Sequence, residues 1–256
     1  MKLKHIIRRT TVLILTLLSA SQSMGASMCS DAFESSLGQA IELKTFTQSK
    51  VWAKKQFAAI GGASEVEAET ARSYKSVGYD PVNRFVRGGY LLSPYPIDSW
   101  MSPEKAAVHV NTMRTKVALL DRLVSRTHVD GSVLLYRALY KPHLEKLLGA
   151  AVEESLGRSY VERSFSSTST LLKIAKRWAR RGNGYEKSVI LRIHVQADLD
   201  ATYLDSFNLT KYHAAEAEVL LQRNIRFRVL KVTQPGELPV IMDVIAVKEN
   251  ESLYGR

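Results

Sequence analysis

Cysteine is all but missing: Cys29 is the single one in 256 residues. That excludes an internal disulfide and any zinc site built on paired thiolates. Histidine is scarce too. His109, His128, His143, His194 and His213 are scattered and form no ligand pair at helical spacing, so no metal is expected. With 7 prolines and 14 glycines the chain is neither collagen-like nor of low complexity. No repeat is visible. Beyond Gly25 no apolar run is long enough to cross a bilayer.

Hydrophobic residues make up 45% of the chain, enough for one domain with a full core. The start reads differently. Lys2, Lys4, Arg8 and Arg9 precede the apolar run Thr11 to Ala20, and small residues follow. This three-part plan predicts a secretory signal peptide over residues 1–26, with a single catalytic domain over 27–256. The product would be secreted, monomeric and free of the membrane once the signal is removed. Net charge is +11; the signal supplies four positives and no acids, so the mature part carries 11 − 4 = +7. Such a surface attracts anionic partners, a phosphate-bearing ligand among them.

Helices are predicted first along the chain and strands later. Ser64 caps a helix over Glu65 to Lys75, and Ser102-Pro103-Glu104 opens another. Val110, Met113, Val117, Leu120 and Val124 give that second helix one apolar stripe. Period-two alternation predicts strands at Ser188 to Val195 and Arg223 to Val232. Val133 to Tyr140 and Val240 to Val247 are apolar runs of strand length, and Ser169 is the expected cap of a helix over Thr170 to Arg180. The order implies an α+β fold. Leu204 to Ala214 reads as a polar loop that exposes Phe207 and Tyr212.

Three short motifs carry chemistry. Arg137 interrupts an apolar strand, where a guanidinium needs an anion to pair with. Phe165 leads into Ser167-Thr168-Ser169. Glu216-Ala217-Glu218 opens the run Val219-Leu220-Leu221. On a strand, residues i and i+2 share a face, so Glu216 and Glu218 should face one cleft while Ala217, Val219 and Leu221 face a core.

In this order the motifs resemble the Arg, Ser-Thr-Ser and Glu-x-Glu signature of the arginine-directed mono-ADP-ribosyltransferase toxins. Tyr74, Gly78-Tyr79, Val82-Asn83 and Arg87 match that family's early helical segment, and the similarity covers roughly residues 60 to 248. The resemblance implies an ADP-ribosyltransferase-like fold, in which a helical segment lies beside two roughly perpendicular sheets and NAD binds in the cleft. It implies that Arg137 holds the NAD phosphates and that Asn83 and Arg87 contact the adenosine and phosphate half. Ser167 would orient Glu218, with Thr168 and Ser169 supporting the nicotinamide pocket. Glu218 would bond the ribose 2′-hydroxyl and stabilise the positive charge that grows on the sugar as nicotinamide leaves. Glu216 would hold an acceptor arginine of a target protein and take its proton. The implied activity is that of an exported toxin or effector, a virulence factor using NAD as co-substrate, with no nucleic acid as partner.

Ala138 stands where the family often has glycine, and His213 where it usually has a loop aromatic, Tyr212 lying one residue earlier. Arg180 or Arg181 is placed to close over the diphosphate. Two other readings fit the same residues: an NAD glycohydrolase, with water as acceptor, and a secreted basic binding protein without turnover.

Overall fold

The computed structural model describes residues 40–92, 102–130, 133–182, 184–195, 198–207, 215–233 and 239–249. The signal segment, Cys29, Asn183, Tyr212 and His213 lie outside them. The compact unit runs from Ile41.

Its first third is helical for local reasons. Helix α1 (Phe46–Gln56) starts with a capping box in which the Thr45 and Gln48 side chains each bond the other's backbone N–H. Ser64 and Glu67 repeat the device at α2 (Glu65–Ser73). The chain then adds a π-helical stretch, Tyr74–Gly78, and continues as α3 (Tyr79–Leu92). Helix α4 (Pro103–Val124) has Ser102 as N-cap and proline at its first position, as predicted. The stripe faces inward: Met113, Val117, Leu120 and Val124 are buried, and Val110 is half-buried.

Strands follow: β1 (His128–Val129) and β2 (Leu135–Tyr140), then α5 (Lys141–Leu148), β3 (Ser159–Glu162) and β4 (Ser166–Ser169). Helix α6 (Leu172–Gly182) precedes β5 (Ser188–Val195), β6 (Leu199–Tyr203), β7 (Glu218–Leu221), β8 (Ile225–Thr233) and β9 (Val240–Lys248). Their spatial order is β1-β6-β7-β4-β2-β5-β9-β8-β3. Pairing is antiparallel except between β5 and β9. The join between β4 and β2 is a single pair, Tyr136 with Ser169. The sheet is thus two blocks of strands that meet at one residue pair, and the Arg137 and Ser-Thr-Ser motifs both flank that seam.

Alternation decides which face goes where. Val189, Leu191, Ile193 and Val195 of β5 join the main core with residues of α1 to α4. Ile190, with Tyr136 and Ala138 of β2, faces the opposite way and packs under Ala175 and Ala179 of α6. Helices therefore cover both faces of the β2–β5 region. Among the described residues no helix is long and apolar enough to cross a membrane.

Three expectations need correction. Phe207 is buried, at 7% exposure, because Leu204–Phe207 folds as a 3₁₀ turn that drives it into the core. Ser169 ends β4 and α6 starts only at Leu172; its hydroxyl accepts the Leu171 N–H at 3.1 Å, outside the helix. The third concerns the paired acids and belongs to the site.

Candidate active site

A cavity of about 340 Å³ opens at the seam between the two strand blocks. Tyr74, Lys75 and Asn83 line it from the π stretch and α3, Arg137 and Ala138 from β2, and Ser167, Thr168 and Ser169 from β4. Glu216, Glu218 and the exposed Trp178 complete the wall. Seven of the eight predicted site residues are thus gathered in one hollow. Arg87 is the exception, yet it is tied to the same place.

The acids do not sit on one strand. Strand β7 begins at Glu218, and Ala217 before it has φ of +50°, a left-handed turn. Alternation therefore cannot account for their common orientation. The turn does, and tertiary contacts impose it. Asp205 Oδ2 accepts the N–H of Glu216 at 3.1 Å and that of Ala217 at 2.8 Å. Ser169 Oγ donates to the Glu216 carbonyl at 2.6 Å, and the Thr170 N–H donates to that of Ala217 at 3.1 Å. Four bonds to the backbone of two residues offset the cost of a positive φ at a residue with a Cβ. Ala217 does face the core, fully buried.

Glu218 is fully defined by its neighbours. In the β4–β7 register Ser167 lies opposite Leu220, which puts Glu218 on its diagonal and on the same face. The Ser167 hydroxyl donates to Glu218 Oε1. Lys75 Nζ stands 3.3 Å from Oε2 and also pairs with Asp205. Burial pushes the carboxyl up to about 7; Lys75 and the Ser167 bond oppose that, while the charges of Glu216 and Asp205 add to it. Glu216 is less enclosed, and Arg177 Nη2 of α6 donates to its Oε1 at 2.8 Å. Thr168 looks away from the acids and donates to the Val219 carbonyl at 2.7 Å, fixing the β4–β7 pair.

The cationic side is organised by Glu162 at the end of β3. Arg87 reaches its two oxygens at 3.2 and 3.4 Å, and Arg137 lies 3.7 Å away. Burial raises the Glu162 carboxyl, but the two guanidiniums and the Ser164 bond outweigh it and hold it below the usual carboxylate range. Two positive charges on one negative leave a surplus facing the hollow, which suits a diphosphate. Asn83 donates to the Tyr74 hydroxyl at 3.0 Å, while its Oδ1 is buried with no partner among the described residues.

Sequence reasoning missed Lys75, Asp205, Glu162 and Arg177. No local pattern marks them, since each acts on a residue distant in sequence. Asp205 had one available signal, an acid within a segment already read as adjoining the site.

A helix-flanked mixed sheet, cleft at the seam of its two blocks and holding a buried carboxylate against an Arg-rich wall, has the architecture of the ADP-ribosyltransferases. The chain belongs to the ADP-ribosyltransferase exoenzyme family, whose model matches residues 49–249. A search of curated proteins finds no match. Solved structures agree on the fold. C3stau2 from S. aureus, determined with NAD, is 18% identical with a TM-score of 0.60, over 82% of this chain and 100% of that one. Plx2a, a toxin from Paenibacillus larvae, is 19% identical with a TM-score of 0.56, over 79% and 96%. Vis from Vibrio splendidus, in complex with agmatine, is 18% identical with a TM-score of 0.56, over 80% and 87%.

Proposed function

We propose that this chain is an exported mono-ADP-ribosyltransferase toxin that transfers ADP-ribose from NAD to an arginine of a target protein. In this reading residues 1–26 are the signal peptide and 27–256 the catalytic domain, acting as a monomer. The observation that carries the proposal is Glu218: a buried carboxylate, aimed by Ser167 and faced by a cation, in the same hollow as Arg137 and Asn83. The NAD found with C3stau2 and the agmatine found with Vis support it. Agmatine is a guanidine, the group an acceptor arginine presents.

NAD would supply a glycosidic bond to a cationic ring, so its cleavage leaves positive charge on a ribose and needs no proton donor. Glu218 stabilises that charge from a site of low dielectric, where one carboxylate counts for far more than in water. Ser167 fixes its direction. Arg137 and Arg87, sharing Glu162, neutralise the diphosphate, and Asn83 contacts the adenosine half. Thr168 and Ser169 hold the strand and turn in place. Glu216 receives the acceptor guanidinium and its proton.

A second reading has support in one contact. Glu216 is already held by Arg177, so an incoming arginine must displace that partner. Where none does, water is the acceptor and the protein acts as an NAD glycohydrolase. Incubation of residues 27–256 with labelled NAD and either cell lysate or agmatine tests both. Labelled protein and labelled agmatine are expected, absent in a Glu216/Glu218 double variant. Nicotinamide release without any labelled acceptor supports the hydrolase. No release at all rejects both readings.

A further inference from the structure

The π-helical stretch Tyr74–Gly78 breaks a helix that would otherwise run from residue 65 to 92. Such bulges have poorer hydrogen-bond geometry than α-helix and occur mostly at functional sites. This one requires glycine at its end, because a Cβ on Gly78 would stand 2.7 Å from the Ser73 carbonyl oxygen. Its consequence is the placement of Lys75. Lysine is rarely buried, yet this side chain is 2% exposed and inserted between Asp205 and Glu218. A buried ammonium is tolerated only where it is paired, and here one partner is Glu218 and the other, Asp205, holds the backbone of the turn before it.

We infer that Lys75 is a positioning residue: it keeps Glu218 ionised and aimed, and through Asp205 it braces the turn that presents Glu216 and Glu218. This rests on reading Glu218 as the carboxylate that faces the ribose. The groups that face Glu218 are Lys75 and the Tyr74 hydroxyl from the π stretch, Asp205 from the 3₁₀ turn, Glu216 before β7 and Ser167 from β4. Lys75 is the cation among them. Without it Glu218 would sit beside two other carboxylates, Asp205 and Glu216, in a buried site, and would keep its proton to higher pH. Asp205 works in the opposite sense on Glu218 but holds the Glu216 and Ala217 N–H groups, so the pair balances charge against geometry.

The test is nicotinamide release from NAD by the purified chain, as kcat and KM against pH, for wild type, Lys75→Met, Lys75→Arg and Asp205→Asn. Lys75→Met should move the rising limb of kcat to higher pH, with roughly tenfold loss at pH 7 for each unit moved, recovery toward pH 9, and a smaller change in KM. Lys75→Arg should restore the limb. Asp205→Asn removes a negative charge and leaves Lys75 facing Glu218, so its limb should move to lower pH. Lys75→Gln, uncharged but polar, should move the limb upward as Lys75→Met does, and it serves where Lys75→Met does not fold. Displacements of opposite sign at Lys75 and Asp205 are not what a merely structural role produces. An active wild type whose limb stays put when Lys75 is neutralised overturns the role of Lys75 alone. A wild type that releases no nicotinamide at any pH rejects the assignment of Glu218, and the inference falls with it.

Discussion

Replacing Glu218 with glutamine should destroy activity and make the protein more stable, and the gain should depend on pH. Burial lifts the carboxyl from 4.5 to about 7 against the pull of Lys75 and Ser167. Each unit is worth ~1.4 kcal/mol, so holding this group ionised in the fold costs about 3 kcal/mol relative to the unfolded chain. Between pH 4.5 and 7 the folded protein retains a proton that the unfolded chain has released, so wild-type stability declines as pH rises across that window. Most of that total falls between pH 5 and pH 8. Glutamine cannot ionise, and its carbonyl oxygen still accepts from Ser167. The attraction to Lys75 that the variant gives up is already contained in the value of about 7, so it adds no separate penalty on ionisation. The quantity to read is therefore the change in the stability difference between pH 5 and pH 8. Urea unfolding followed by tryptophan fluorescence supplies it. A variant whose advantage is the same at both pH values, or larger at pH 5, would refute the claim that Glu218 is an unwillingly charged group.

Glu216→Gln should abolish transfer to arginine while leaving part of the NAD hydrolysis, measured as labelled acceptor against released nicotinamide; equal loss of both would show that the two acids do not divide the work. Gly78→Ala should cost about 1–3 kcal/mol, the usual price of an extra methyl against backbone, seen as a lowered melting temperature. Asp243 is buried between Arg192 and His194; burial raises its carboxyl, but those partners outweigh it and bring it from 3.8 down to about 2. Asp243→Asn should therefore cost about 2 kcal/mol at pH 7, and the gap should close as pH falls through that interval, which unfolding curves at pH 7 and pH 3 would reveal.

Much of this fold was legible because its causes are local. The Ser64 and Ser102 caps act within one turn, and the alternation in β5 and β8 is written residue by residue. The cavity wall was legible because Arg137, the Ser-Thr-Ser run and the paired acids stand in the order of a known family's signature, and Asn83 in the segment that resembles its early helix. What stayed hidden acts across the chain. Lys75 and Asp205 are 130 positions apart, and Arg177 and Glu216 are 39 apart. In sequence Lys75 is indistinguishable from a solvated lysine at a helix end. Only the π stretch, itself without a composition signal, turns it inward.

The paired acids show the same division more sharply. Strand alternation predicted that Glu216 and Glu218 share a cleft, and they do, but the strand starts two residues too late for alternation to be the cause. Alanine has no preference for the left-handed region, so nothing at position 217 announces the turn. It forms because Asp205 supplies a carboxylate to two adjacent N–H groups, and Ser169 and Thr170 take the two carbonyls. A strand would fix both acids in one pleated plane. A pinned turn lets Glu218 stay buried in β7 while Glu216, two residues before it, keeps 21% of its side chain exposed.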